Sequence, residues 1–284
     1  MFEYKTLEGV GIEVIHKAFI EAFSDYQVRI DMPIWKLQQT LKRRGFMPDK
    51  SMGAFRDGEL AGFILNGCRS WNNKPTVYDA GTGVIPEYRK QGLTTNLFGK
   101  VLELLRNDGV EQYLLEVIQQ NIAAYELYSK KGFNITRELN CYKLDKSSFQ
   151  GKNTTRIEHV DGFDSREWDY LKGFWDFKPS WQNSIDSVCA TPENFIYSVA
   201  RQDNEIIGYG IIDKMTGDIP QLAVDRNYRN NGIAASLLLD LLENTESDRI
   251  SVLNVEDTSE NSNAFLSQTG FEHYVDQYEM VMEL

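Results

Sequence analysis

Apolar positions recur along this chain in two rhythms. Spacings of three and four residues predict helices over Ile12–Phe23, Ile34–Arg44, Thr95–Asn107 and Ile122–Lys131. The third carries Leu97, Phe98, Val101, Leu102, Leu104 and Leu105 on one stripe and closes at Gly109, a helix-stop residue. Shorter apolar runs bounded by turn formers predict strands over Ser51–Phe55, Leu60–Gly67, Thr76–Ile85, Tyr113–Ile118 and Asn134–Leu144. Asp57-Gly58, between the first two strands, is a hairpin signal.

The same order then returns. Strands are predicted at Phe195–Ala200, Glu205–Asp213, Asp218–Val224 and Ile250–Val255, with helices over Ala234–Glu243 and Asn261–Thr269. Alternating strands and helices imply an α/β fold with a mixed sheet and helices on its faces. The polar stretch Lys146–Thr155 is the natural boundary, giving domains 1–146 and 152–284. At 284 residues, two domains are also the prior from length. A period this long is a duplicated domain rather than a solenoid unit.

Charge separates the halves. Residues 1–146 carry 20 basic and 18 acidic side chains, whereas residues 147–284 carry 10 and 24. The net charge of −12 argues against nucleic acid, whose affinity rests on neutralising phosphates. No apolar run has the length of a membrane span. Three scattered cysteines, Cys68, Cys141 and Cys189, fit a reducing cytoplasm better than a disulfide framework. With three histidines and no Cys-x-x-Cys, no metal site is expected.

The strongest repeated signal is a loop. Val84-Ile-Pro-Glu-Tyr-Arg-Lys-Gln-Gly-Leu-Thr94 runs from a strand into a helix, and Val224-Asp-Arg-Asn-Tyr-Arg-Asn-Asn-Gly-Ile-Ala234 does the same. A helix start offers unpaired N–H groups and partial positive charge. Gly92 lets backbone approach an anion, and Arg89 and Lys90 add charge, which together suit a diphosphate. Gly81-Thr-Gly83 is not a dinucleotide fingerprint, since no third glycine follows and Pro86 intervenes.

This segment, followed by Leu114-Leu-Glu116-Val and then Asn121-x-x-Ala124-x-x-Leu127-Tyr128-x-Lys130-x-Gly132-Phe133, resembles the GNAT superfamily of acyl-CoA-dependent N-acetyltransferases. The second half matches through Arg229-x-x-Gly232-x-Ala234 and Gly270-Phe271. The resemblance implies two tandem GNAT-like domains, each with a mixed, largely antiparallel sheet. It places the diphosphate of acetyl-CoA on Arg89, Lys90, Gln91, Gly92, Leu93, Thr94 and Thr95. Thr94 replaces the family's usual Gly or Ala. It also sets Gly83, Val84 and Ile85 beside the pantetheine arm and brings Asn121 near the cofactor, where Asn121 is equally a helix cap.

Amide formation from a thioester requires a base for the amine and a proton for the leaving thiolate. Tyr128, with a phenol pKa of about 10, is the candidate acid, since the resemblance sets it beside the sulfur. Glu116 is the candidate base: alternation puts this carboxylate on the face of Leu114 and Ile118, where a charge is costly unless paired or used. Asp79, on the neighbouring strand, is the rival base. Asp25 and Tyr26 lie where the family covers the acceptor, and Asp25 suits a cationic amine.

Counting back from the two Gly-Phe pairs, Leu266 stands for Tyr128 and Asn254 for Glu116. The second copy therefore reads as degenerate. The expectation is an N-acetyltransferase acting on a primary amine in the first half. The alternatives are coenzyme held in the second half, or an acyl-CoA sensor without transfer. The acceptor's identity and the oligomeric state are not encoded in any motif.

Overall fold

A computed structural model describes residues 1–25 and 32–284. They form two compact units. The first comprises Met1–Glu116, Glu126–Ile135 and Met280–Leu284, and the second Val117–Tyr125 and Thr136–Glu279.

The first unit is a sheet in the order β1 (Glu3–Thr6), β2 (Met52–Arg56), β3 (Glu59–Trp71), β4 (Lys74–Val84), β5 (Gln112–Ile118). Neighbours are antiparallel except the β4–β5 pair, which is parallel. Helices α1 (Ile12–Ala22), α2 (Ile34–Arg43) and α3 (Leu93–Asn107) belong to this unit. Asp57 and Gly58, both at positive φ, make the tight β2–β3 turn that Asp-Gly predicts. Helix α1 buries Ile15, Ala18, Phe19 and Ala22, and α3 buries Leu93, Leu97, Phe98, Val101 and Leu105. These one-sided stripes hold both helices on the sheet through apolar burial.

Helix α4 (Ile122–Lys131) is divided: Ile122–Tyr125 falls in the second unit and Glu126–Lys131 in the first. The second unit continues with β6 (Asn134–Asp145), β7 (Ile157–Val160), α5 (Ser165–Leu171), α6 (Ile185–Ala190), β8 (Phe195–Gln202) and β9 (Glu205–Asp213). It closes with β10 (Gln221–Val224), α7 (Ile233–Glu243), β11 (Arg249–Glu256), α8 (Glu260–Gln268) and β12 (Glu272–Glu283), the last from residue 280 onward belonging to the first unit. Strands β7, β8, β9 and β10 form an antiparallel sheet in that order. Strand β6 lies between β12 and β11.

Strand β10 begins at Gln221 rather than Asp218, because Pro220 has no N–H to give and the chain before it makes only one isolated bridge, Asp218 to Ser251. Helices α3 and α7 begin at Leu93 and Ile233, directly after their left-handed glycines. Among the described residues, no helix is long and apolar enough to cross a membrane.

Candidate active site

The site of the first unit forms where two parallel strands part. Strands β4 and β5 pair only at Thr76–Tyr78 with Gln112–Leu114. Beyond that, β4 carries a bulge: Leu65 faces Gly81 and Asn66 faces Asp79, leaving Ala80 unmatched. A bulge re-aims the side chains beside it. Here it lets Asp79 accept from the Gly81 N–H at 2.9 Å and the Thr82 hydroxyl at 2.7 Å.

Helix α4 brings Tyr128 to the same carboxylate. Its hydroxyl donates to Asp79 Oδ2 at 3.4 Å. The Tyr128 ring is fixed edge-on between Phe98 and Phe133, each 5.7 Å away between centroids. Burial pushes the Asp79 carboxyl up to about 6, against the pull of the Thr82, Gly81 and Tyr128 bonds and the nearby Arg44 charge. Arg44 itself donates to Ala80 O at 2.9 Å.

A second pair flanks the first. The Tyr78 hydroxyl donates to Glu116 Oε2 at 3.0 Å. Burial raises the Tyr78 phenol well above its ordinary value, and the Glu116 charge adds to this. The wedge thus holds two carboxyl groups, each bonded to a phenol, and burial keeps that of Tyr78 protonated at neutral pH. Tyr78, Thr82 and Arg44 were not foreseen from sequence. Thr82 reaches Asp79 only because of the bulge, which leaves no signature in residue spacing, and Arg44 comes from a loop distant in sequence.

The loop from β4 to α3 has left-handed residues at Lys90 (φ 60) and Gly92 (φ 78). A Cβ placed on Gly92 would meet nothing within 4 Å, so the surface above it is open. Thr94 and Thr95 sit in the first turn of α3, whose N–H groups precede the first bond back to Gly92, made by Asn96. These features fit the diphosphate cradle. Gln91 is exposed, and its amide donates to Glu87 O at 3.2 Å. Gly83 packs against Phe63 and Ala22, and the Ile85 N–H is taken by Ala61 O on β3.

Arg89 turns away from the cradle. Its Nε donates to Val84 O at 3.1 Å and its Nη2 to Ala22 O at 2.7 Å, while its fork grips Asp25 at 2.6 and 2.8 Å. Asp25, expected to hold an amine, is held by Arg89, whose hydrogen bonds lower its carboxyl pKa. Tyr26 lies outside the described residues. In the second unit, Asn121 Oδ1 accepts from Ala124 N at 3.2 Å, a cap on α4.

The second unit has the loop without the proton-transfer groups. Asn230 (φ 62) and Gly232 (φ 79) reproduce the first loop's backbone, and Arg229 reproduces its fork on Val224 O, Phe174 O and Asp176. Leu266 is buried at the Tyr128 position. Asn254 sits in a β11 bulge at φ 61 and donates to Ser180 Oγ at 3.0 Å. Five residues before Val224, where Asp79 precedes Val84, stands Ile219. A cavity of about 900 Å³ opens between this loop, β10, β11 and α8, lined by Ile233, Leu222, Val252 and Phe265 among others. Among the described residues, no cluster of three or more His, Cys, Asp or Glu side chains is arranged to hold a metal.

A parting of two parallel strands, a glycine loop opening α3 and a tyrosine on α4 accompany a match to a known family: the chain belongs to the GNAT acetyltransferases. The Acetyltransferase (GNAT) family matches residues 13–133, and a second Acetyltransferase (GNAT) domain matches residues 177–281. The chain is 26% identical over 136 residues to N-alpha-acetyltransferase 30 of Schizosaccharomyces pombe, covering 47% of this chain and 81% of that protein. It is 30% identical over 95 residues to streptothricin acetyltransferase of Streptomyces lavendulae, covering 34% of this chain and 46% of that enzyme. A tandem GNAT protein from the clavulanic acid biosynthesis pathway shares the fold at a TM-score of 0.75 and 16% identity, covering 100% of this chain and 98% of its own. The tandem organisation read from the repeat is therefore established.

Proposed function

We propose that the first unit is an acetyl-CoA-dependent N-acetyltransferase acting on a primary amine. The observation that carries this reading is the bond between Asp79 and Tyr128 at the parting of β4 and β5. Acetyl-CoA supplies an activated acyl group and a thiolate leaving group. The chain supplies position and protons. Lys90, Gly92, Leu93, Thr94 and Thr95 form the cradle for its diphosphate, and Gly83–Ile85 border its arm.

Asp79 takes a proton from the acceptor's ammonium, freeing the amine to attack. Tyr128 gives its phenolic proton to the departing thiolate. The nitrogen, cationic once bonded to the carbonyl carbon, sheds its second proton to solvent water as the intermediate collapses, and the 3.4 Å bond lets Asp79 return its proton to Tyr128, so both residues are restored and one proton is released per turnover. Asp79 suits the base role because its pKa of about 6 leaves it ionised yet basic at neutral pH. Glu116, the other candidate, is paired with Tyr78 and lines the same wedge. Acetyl-CoA consumption with a panel of amines, followed by thiol release, tests the activity. Asp79→Asn against Glu116→Gln decides the base.

A second reading places coenzyme in the second unit, and the 900 Å³ cavity favours it. Leu266, Asn254 and Ile219 supply no proton there, so such a site would bind without transferring. Calorimetric titration with coenzyme A separates the readings. Loss of binding in Gly92→Glu assigns the first loop, and loss in Ala234→Glu assigns the second. Ala234 is the cleaner position because a Cβ on Gly232 would meet Thr154 Oγ1 at 2.6 Å.

A further inference from the structure

The arginine of the glycine loop is the most conspicuous charged group beside the cradle, yet every nitrogen of its guanidinium is directed at chain oxygens. Nε and Nη2 donate to Val84 O and Ala22 O, and Nη1 and Nη2 donate to the two oxygens of Asp25. One side chain therefore joins the end of β4, the end of α1 and the residue three positions beyond it. A lysine cannot make this planar four-way fork.

The second unit repeats the arrangement. Arg229 donates to Val224 O at 3.0 Å, to Phe174 O at 2.9 Å and to Asp176 at 2.8 and 3.1 Å. The backbone repeats with it. Arg89 and Arg229 have φ −69 and −65 with ψ 163 and 162, and the left-handed residues that follow have φ 60 and 62. The proton-transfer residues do not repeat. The fork thus accompanies the shape of the loop and not the chemistry of the site.

The shape needs support. Lys90 is a non-glycine residue in the left-handed region, which costs roughly 1–2 kcal/mol and persists only where neighbours over-determine it. The second copy has Asn230 there, a residue that tolerates this region.

We infer that Arg89 is a positioning residue for coenzyme: it holds the strained Lys90–Gly92 loop in its anion-binding shape and does not itself meet the phosphates. This rests on the reading that the first loop is the coenzyme site. The Arg89–Asp25 pair is substantially exposed, so it adds little as an ion pair. Its carbonyl bonds, in contrast, tie the loop to two regular elements.

The test is calorimetric titration of the full chain with coenzyme A at several salt concentrations. Arg89→Ala is expected to weaken binding roughly tenfold or more, and Arg89→Lys nearly as much, because charge without the fork is insufficient. The dependence of affinity on salt stays as in the wild type, since no phosphate contact is lost. In a Lys90→Asn background, Arg89→Ala costs clearly less, because the strain it resists has been relieved.

If Arg89→Ala misfolds by scanning calorimetry, Arg89→Lys carries the same comparison, weakening binding in the chain that keeps Lys90 and clearly less in the Lys90→Asn background. Wild-type affinity in Arg89→Ala overturns the inference, as does retained affinity in Arg89→Lys with a flattened salt dependence in Arg89→Ala. Absence of coenzyme binding by the wild-type chain overturns the coenzyme reading itself, and this inference with it.

Discussion

Tyr128 Oη and Asp79 Oδ2 stand 3.4 Å apart, one on helix α4 and the other beside a bulge in β4. The acid and the base of the proposed transfer therefore share a hydrogen bond through which one reprotonates the other. Removing the phenol breaks both functions of that bond. Tyr128→Phe is expected to lower kcat by roughly 10²–10⁴ while changing the KM for acetyl-CoA little. Steady-state kinetics with thiol detection measures this, and unchanged turnover excludes Tyr128 from the chemistry.

Asp79 must be ionised to accept a proton. With its pKa raised to about 6 by burial, kcat/KM should fall about tenfold per pH unit below 6 and level off above it. Glu116→Gln keeps this acid limb. Asp79→Asn removes it along with most of the activity. An acid limb that persists in Asp79→Asn and disappears in Glu116→Gln assigns the base to Glu116 instead.

The same burial makes Asp79 a cost to the fold. Its folded pKa lies above the ordinary 3.8, so its favourable contribution is complete below about pH 4 and is lost as pH rises through 6. At neutral pH the penalty is about 3 kcal/mol. Asp79→Asn should therefore raise Tm at pH 7.5, and the gain should shrink toward zero near pH 4. A variant less stable than wild type at pH 7.5 would show that the Thr82 and Gly81 bonds outweigh desolvation.

In the second unit, Glu279 is almost fully buried and accepts from Arg137 Nη2 at 2.5 Å, Arg137 Nε at 3.0 Å and Thr136 Oγ1 at 2.9 Å. Neutralising one partner of such a pair leaves the other charge poorly compensated. Glu279→Met is expected to destabilise the chain by about 3 kcal/mol, whereas the joint replacement Arg137→Leu with Glu279→Met recovers much of the loss. Denaturant melts of the single and double variants measure the coupling.

The repeat, the glycine loops and the stripes of α1 and α3 were legible because each is a local pattern of residue type. The hairpin of β2 with β3 was legible too, but the bulge of β4 at Ala80 was not, since a single unmatched residue changes register without changing composition. That omission hid the role of Thr82 and left Asp79 a rival rather than the partner of Tyr128. Arg89 misled differently. A cation beside an anion cradle suggests a contact, and only the distances to Val84 O, Ala22 O and Asp25 show where its donors go. Strand β12 was missed because its mixed pattern, Glu272–Glu283, alternates weakly.

Residues 280–284 belong to the first unit, where the Leu284 N–H donates to Glu111 O and Lys74 reaches Glu283. A nascent chain that has emerged only as far as residue 146 accordingly lacks part of the first unit. The unit that holds the proposed transferase site is therefore completed only through contacts of very large sequence separation, which close slowly.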